Sequence, residues 1–238
     1  MARIRTGLHG ASGRMGRAIA ALIASDYADR LELTASISSS NPDLHELVDA
    51  DVVIDVSLPE GTAALLDWMS GVAERPPALV CGTTGLDAAL LDRIMALGDS
   101  TRVLYAANFS SGVAALHEII AFAAPMLAAL GYRPVLTETH HENKVDAPSG
   151  TARSIRQVVD PERPESIETH SIRTGAVIGT HELVFDGIDD EIVLRHDAKD
   201  RRLFARGAIE AALWIAAESG TGADTVQSYF AKRFRDRA

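Results

Sequence analysis

Residues 138–152 concentrate side chains that can bind an anion and move a proton. The segment contains two histidines, a lysine and a Ser-Gly-Thr turn. Histidine titrates near ~6.5 and exchanges protons near neutrality, while the lysine ammonium attracts carboxylates. Such groups are rarely buried without partners, so core packing does not require this combination. The segment is therefore predicted to be a site for an anionic substrate.

The first half of the chain alternates short apolar runs with amphipathic stretches, which is typical of βα units around a mostly parallel sheet. The pattern predicts strands at residues 4–9, 31–37, 52–56, 78–81 and 102–105. It predicts helices over residues 14–25, 44–48, 62–69 and 86–97. This order indicates a doubly wound α/β domain.

After residue 108 the pattern changes to a long apolar helix over residues 113–130, which Pro125 is expected to kink or break. A strand over 134–139 leads into the candidate site, and a helix follows over 151–159. Further strands are expected at 167–173, 179–186 and 191–198, two of them alternating like half-exposed antiparallel strands. A helix over 205–218 follows. The second domain is therefore predicted to be α+β, built on an open mixed sheet.

A glycine-rich turn at residues 10–16 lies where the first βα crossover is expected. Glycines permit a tight turn and close approach of backbone to a pyrophosphate, at a helix N-terminus that attracts phosphate. A tight turn without a ligand is the alternative interpretation. Ser38 follows the second strand, where an acidic residue would favour NAD, so NADPH or NADH is acceptable.

Two motifs together resemble the dihydrodipicolinate reductase family, whose members are NAD(P)H-dependent enzymes of lysine and diaminopimelate biosynthesis. They are G-x-x-G-R-M-G at residues 10–16 and E-x-H-H-x-x-K-x-D-A-P-S-G-T-A at residues 138–152. The resemblance implies a Rossmann-like domain formed by residues 1–108 plus 206–238. It implies a substrate-binding and oligomerisation domain at 109–205. The implied reaction reduces 4-hydroxy-tetrahydrodipicolinate, a small cyclic dicarboxylate, in a cytoplasmic homotetramer.

The resemblance also implies roles for individual residues. His140 would donate or accept the proton, and Lys144 would be a second donor. The implied substrate contacts are His141, Ser149, Gly150, Thr151 and Arg201. The implied cofactor contacts are Gly10, Ala11, Ser12, Gly13, Arg14, Met15, Ser38, Gly82, Thr83, Thr84, Ala106, Ala107, Asn108 and Phe109. Some relatives carry an arginine where Leu58 stands, so one cofactor contact is missing.

Composition argues against several other classes of protein. A net charge of -10 disfavours a nucleic-acid surface, and the single cysteine excludes an internal disulfide and fits a reducing compartment. No signal peptide is seen, and no window is expected to approach the ~20 apolar residues of a membrane span. His140, His141 and Glu142 are consecutive and lack the spacing of a helical zinc site, so no metal is expected.

Three later histidines, His170, His181 and His196, fall on expected strands and are interpreted as structural.

Two other functions stay open. One is a different Rossmann-type reductase acting on an amino or hydroxy acid. The other is a nucleotide-sensing relative without turnover.

Overall fold

A computed structural model describes residues 2–72 and 76–235. They form two compact units, one with the described residues up to Phe109 and from Arg202, the other with Ser110–Arg201. The strands are β1 (Ile4–His9), β2 (Leu31–Ile37), β3 (Val52–Asp55), β4 (Ala78–Cys81), β5 (Arg102–Tyr105), β6 (Arg133–His140), β7 (Glu168–Arg173), β8 (Thr180–Asp186), β9 (Glu191–Asp197) and β10 (Gly222–Thr225). The α-helices are α1 (Arg14–Asp26), α2 (Pro59–Ser70), α3 (Ala88–Ala96), α4 (Ser111–Ala129), α5 (Gly150–Val159), α6 (Arg202–Ala217) and α7 (Val226–Arg235).

The first unit is built on a parallel sheet in the order β10-β5-β4-β3-β1-β2. Every residue of β3 and β4 is buried, as expected for strands covered on both faces. Helix α6 packs against β3, β4 and α1. The turns after β1, β3, β4 and β5 all leave the same edge of the sheet, because parallel strands share their carboxyl ends. This edge is where ligands of open α/β sheets bind.

The second unit contains a mixed sheet in the order β7-β6-β8-β9. Strands β6 and β7 are parallel, whereas β8 is antiparallel to both β6 and β9. One face is covered by α4 and α5, whose apolar residues pack with Leu136, Leu183 and Phe185. Burial alternates along β8, as period-two patterning requires. The Rossmann-like parallel sheet and the second mixed sheet are thus both confirmed.

Helix α4 differs from the sequence expectation in two respects. It runs through Pro125 as one helix, so the predicted break is wrong. Proline removes one backbone hydrogen bond, but buried contacts of Leu116, Ile120 and Leu127 on either side hold the helix together. The helix is also long and apolar enough to cross a membrane by length and composition, with a mean hydropathy of 1.6. The expectation that no stretch of the chain is apolar enough to span a membrane is therefore wrong. The core helix of a soluble protein passes the same test.

Strand β10 was not expected from the sequence, and no bounds were predicted for helix α7. The β10 sequence, Gly-Ala-Asp-Thr, has no apolar run, and its Asp224 is held by Arg102 of the neighbouring β5 at 2.5 Å. Lys232 of α7 pairs with the same carboxylate at 2.9 Å. Charge pairing therefore holds this edge strand in place, where the sequence pattern shows little hydrophobic signal.

Candidate active site

The turn after β1 and the first turn of α1 each require glycine at one position. Gly10 has a φ of 84°, and a Cβ there would lie 2.6 Å from the carbonyl oxygen of Val56. A Cβ on Gly16 would lie 2.3 Å from the oxygen of Gly10. Gly13 caps α1 without a side chain, so the first N–H groups of the helix have no capping oxygen from it. This cradle of backbone N–H groups fits the pyrophosphate of a dinucleotide.

The turns after β4 and β5 lie at the same edge of the sheet. A Cβ on Gly82 would come within 2.6 Å of the Phe109 ring, so the glycine permits close packing of the two turns. Thr83 and Ala106 are buried, while Thr84 and Ala107 are exposed. Burial, with the nearby Asp55 carboxylate, raises the pKa of the Cys81 thiol to about 12. The thiol is therefore protonated and unsuited to nucleophilic or redox chemistry.

A buried polar network under the glycine turn was missed by sequence reasoning. His9 Nδ1 lies 3.1 Å from Asp55 Oδ1, and the Thr62 hydroxyl donates to Asp55 Oδ2 at 2.6 Å. The backbone N–H of Ser57 donates to the same carboxylate at 3.1 Å. Burial opposes ionisation of Asp55, but the contacts with His9, Thr62 and Ser57 outweigh it and lower its pKa. The network fixes the turn that carries Leu58 against the end of β1.

The segment after β2 is a tight turn closed by two backbone hydrogen bonds between Ser38 and Asn41. The hydroxyl of Ser38 lies 2.9 Å from that of Ser40. The amide of Asn41 donates to Glu46 at 3.0 Å, so a carboxylate stands beside this turn even though none follows β2 directly. Leu58, in the turn after β3, is exposed. The turn thus has hydroxyl donors and one nearby negative charge.

In the second unit, His140 and Glu138 are two positions apart on β6, so both side chains leave the same face of the sheet. Nδ1 of His140 hydrogen-bonds Oε2 of the fully buried Glu138. Oε1 of Glu138 accepts from Arg173 at 2.7 Å and from the backbone N–H of Ser149 at 3.2 Å. Burial opposes its ionisation, but hydrogen bonds from Arg173, Ser171 and His140 outweigh it and bring the pKa of Glu138 down to about 2.

Because Glu138 is ionised, it carries no proton and Nδ1 of His140 must be the donor. The other ring nitrogen, Nε2, is then the one that exchanges protons with a ligand. Burial lowers the pKa of His140, Glu138 opposes that effect, and the charges of Lys144 and Arg173 add to it. His140 is therefore neutral near pH 7 until a negative charge arrives beside it.

Ser149 caps α5, with its hydroxyl accepting from the N–H of Ala152. The same hydroxyl lies 3.2 Å from Nε2 of His181, and the rings of His181 and His140 meet edge to face with centroids 5.2 Å apart. Burial lowers the pKa of His181 to about 4, so this ring is neutral. His181, interpreted from sequence as structural, thus touches the candidate site. Only the register of β8 on β6 reveals this.

The remaining candidate substrate residues are placed as follows. Nζ of Lys144 lies 2.6 Å from Asp146 and lowers the pKa of that carboxyl. His141 is half-buried in the turn beyond β6, and Gly150 opens α5 at the surface. Arg201 is exposed at the end of the unit, and no described hydrogen bond of this cluster reaches it. His140, Lys144 and the start of α5 belong to one segment of the chain. No described hydrogen bond links Arg201 to that segment.

Glu138, His140 and His181 place three possible metal-ligand atoms within 4.8 Å of one another. Both oxygens of Glu138 are already engaged, by His140 on one side and by Arg173 and Ser149 on the other. The guanidinium 2.7 Å away also repels a cation. These contacts favour a hydrogen-bonded acid–base cluster over a metal site.

A parallel sheet with a glycine phosphate cradle, together with a second unit bearing a buried imidazole–carboxylate cluster, defines the class of nucleotide-dependent oxidoreductases. Family models of dihydrodipicolinate reductase match both parts of the chain: the N-terminus model matches residues 4–109 and the C-terminus model matches residues 112–228. The chain belongs to the dihydrodipicolinate reductase family.

Curated relatives agree along most of the chain. The 4-hydroxy-tetrahydrodipicolinate reductase of Stenotrophomonas maltophilia (strain R551-3) is 37% identical over 226 residues, covering 88% of this chain and 90% of the relative. The enzyme of the same name from Natronomonas pharaonis is 37% identical over 236 residues, covering 88% and 94%. Among solved structures, dipicolinate-bound dihydrodipicolinate reductase from Paenisporosarcina sp. TG-14 has a TM-score of 0.74 at 22% identity, covering 94% of this chain and 98% of that one. This last similarity supports the fold.

Proposed function

We propose that this chain reduces 4-hydroxy-tetrahydrodipicolinate to tetrahydrodipicolinate with NADH or NADPH. In this reaction the ring gains a hydride and a proton, and it loses its 4-hydroxyl together with one ring hydrogen as water. The observation that carries the proposal is the arrangement of His140, whose Nδ1 is fixed by an ionised carboxylate while a lysine and a helix N-terminus stand close by in the chain. Relatives at 37% identity carry this activity in their names.

The charges around the cluster suit a dianion. The chain as a whole carries a net charge of -10, so a dicarboxylate must be attracted by local groups. Lys144 supplies a cation, and the first turn of α5 supplies backbone N–H groups and the positive end of the helix dipole. Ser149 holds that turn in place through its bonds to Ala152, His181 and Glu138. Its hydroxyl therefore acts through the helix start rather than on the ligand.

His140 is poised to take up a proton when the ligand binds. Its pKa is low in the free protein because the ring is buried beside Lys144 and Arg173. A bound dianion would add negative charge, and an opposite charge within ~4–6 Å raises the pKa of an imidazole. The protonated ring, with Nδ1 held by Glu138, would present its Nε2 proton to the substrate. Lys144 would be the second donor.

The nucleotide, when bound, would supply the hydride. Gly10 to Met15 would hold its pyrophosphate on the N-terminus of α1, and Ser38 would face the adenine ribose. The turns at Gly82 to Thr84 and at Ala106 to Phe109 would bind the nicotinamide end. The family resemblance implies these assignments, and the shared sheet edge and the positions that require glycine support them. The turn after β2 supports either nucleotide.

The proposed function also assigns a role to each domain, an oligomeric state and a cellular location. Residues 1–108 with 206–238 would bind the nucleotide, and residues 109–205 would bind substrate and form the oligomer. A homotetramer in the cytoplasm fits the family. The exposed apolar side chains of Ile172, Ile192 and Val193 on the mixed sheet are compatible with subunit contacts there.

The test is a coupled assay in which freshly generated 4-hydroxy-tetrahydrodipicolinate is reduced and nucleotide oxidation is followed optically. We expect turnover by the wild type and a fall of ~10² or more in His140→Ala and in Lys144→Ala, the size of a lost general acid. His170→Ala and Lys199→Ala, at exposed positions of the same unit, are the matched controls. Absence of wild-type turnover, or unchanged rates in the first two variants, would reject the proposal.

A further inference from the structure

Arg173 stands at the end of β7, directly beside His140 in the parallel register of β6 and β7. One of its terminal nitrogens donates to Glu138 Oε1 at 2.7 Å and to the backbone oxygen of Asp146 at 2.6 Å. Its Nε donates to the backbone oxygen of Lys144 at 3.2 Å. A single guanidinium therefore contacts both the carboxylate that holds His140 and the loop that carries Lys144.

The contact of Arg173 with Glu138 compensates a buried negative charge. The carboxylate is fully buried, and an isolated buried charge is costly unless it is paired and hydrogen-bonded. Arg173 and the N–H of Ser149 satisfy one oxygen, which leaves the other to receive Nδ1–H of His140. If Glu138 became protonated or neutral, nothing in this geometry would require the Nδ1–H tautomer. The ion pair thus fixes which nitrogen of His140 faces the ligand.

The contacts of Arg173 with the loop hold two backbone carbonyls in place. The carbonyls of Lys144 and Asp146 lie on either side of the exposed Val145, and both are held by the planar fork of Arg173. Lysine at this position would keep a positive charge but could not bind these carbonyls and the carboxylate together. The planar fork therefore fixes the spacing between Lys144 and His140.

A third feature keeps Nε2 of His140 accessible. Gly179, which precedes β8, is buried, and a Cβ at this position would lie 3.0 Å from Nε2. The absence of a side chain there preserves space at the nitrogen that exchanges protons. The same cluster therefore fixes one side of the imidazole and leaves the other side open.

We propose that Arg173 is a positioning residue for the reduction: its contact with Glu138 sets the tautomer of His140, and its contacts with the Lys144 and Asp146 carbonyls set the place of Lys144. The role in turnover rests on the proposed function. The effect on the tautomer does not, because it exists in the free protein.

Two variants test the two contacts: the first removes the planar fork alone, and the second removes the ion pair with Glu138 as well. Arg173→Lys keeps a cation for Glu138 and loses the fork, so we expect kcat to fall about 10-fold or more and the KM for the dicarboxylate to rise. Its ¹⁵N imidazole spectrum should still show the Nδ1–H tautomer of His140.

The double variant Arg173→Met/Glu138→Gln removes both members of the ion pair, so neither buried charge is left without its partner. The oxygen of the introduced amide would accept from Ser149, which turns the NH₂ group of that amide toward His140 and reverses the tautomer to Nε2–H.

The measurements use full-length protein labelled with ¹⁵N-histidine, with the His140 signals assigned by their loss in His140→Gln. Arg195→Lys on β9, an exposed arginine paired with Glu182 and Asp197, is the matched control and should leave kcat, KM and the His140 signals unchanged. Nucleotide affinity, measured by fluorescence titration, should be the same in all variants. Wild-type kcat and KM in Arg173→Lys, or an Nδ1–H tautomer retained in the double variant, would overturn the proposal. Failure of the wild type to turn over would reject the proposed function alone, and the tautomer measurement would still test whether the Arg173–Glu138 ion pair sets the tautomer of His140.

Discussion

Replacing Glu138 by glutamine should change how the stability of the second unit depends on pH. The pKa of this carboxyl is about 2 in the folded chain, against 4.5 for the unperturbed group. Because the folded pKa is the lower one, its ionisation stabilises the fold above pH ~4.5, and this contribution is lost as the pH falls toward 2. The difference of about 2.5 units, at 1.36 kcal/mol per unit, corresponds to about 3 kcal/mol.

The expected result is a stability gap between wild type and Glu138→Gln that is largest above pH ~4.5 and narrows by about 3 kcal/mol near pH 2. Hydrogen exchange in increasing urea, followed by mass spectrometry on peptides from β6 and β8, measures this gap. Comparing both proteins at the same pH cancels the intrinsic exchange rate. Glu168→Gln, at an exposed carboxylate of β7, is the matched control and should stay within ~0.5 kcal/mol of wild type. A gap that stays constant from pH 6 to pH 2 would refute the assignment of a buried, ionised Glu138.

Three further outcomes are expected. Gly179→Ala places a Cβ 3.0 Å from Nε2 of His140 and should lower kcat about 10-fold without changing nucleotide affinity in a fluorescence titration; an unchanged kcat would contradict this. Gly16→Ala places a Cβ 2.3 Å from the Gly10 oxygen and should weaken nucleotide binding at least 10-fold in the same titration, while binding of a dicarboxylate probe, measured by calorimetry, stays unchanged. Leu58→Arg adds a cation at an exposed position and should tighten NADPH binding several-fold more than NADH binding. An equal change in the two affinities would contradict a contact between this arginine and the 2'-phosphate of NADPH.

The sequence predicts the first sheet well because its signals are local. Apolar runs such as residues 52–56 and the glycine turn at 10–16 show the strands and the crossover without knowledge of their neighbours. The outcome differs where an element depends on distant contacts. Pro125 leaves α4 continuous because packing on both sides holds it, and β10 forms because Arg102 pairs with Asp224. Neither effect can be derived from a short window of sequence.

The candidate site shows the same division. Residues 138–152 are contiguous, so His140, Lys144 and the α5 cap are visible as a pattern in the sequence. Arg173 and His181 come from other strands, and the register of those strands places them against His140 and Glu138. Register depends on the packing of the whole sheet, and a shift of one residue would turn both side chains to the opposite face. Their part in the site could therefore be found only in the structure.

The proposed reduction requires His140 to gain a proton when a dianion binds. Dipicolinate, the dicarboxylate bound in the Paenisporosarcina sp. TG-14 structure, is the probe. Its calorimetric titration into the full-length protein at pH ~7.5, in buffers of different ionisation enthalpy, measures the number of protons taken up on binding. We expect net uptake approaching about one proton per site in the wild type, and loss of that uptake in His140→Ala. Binding without proton uptake, or equal uptake in both proteins, would contradict the account.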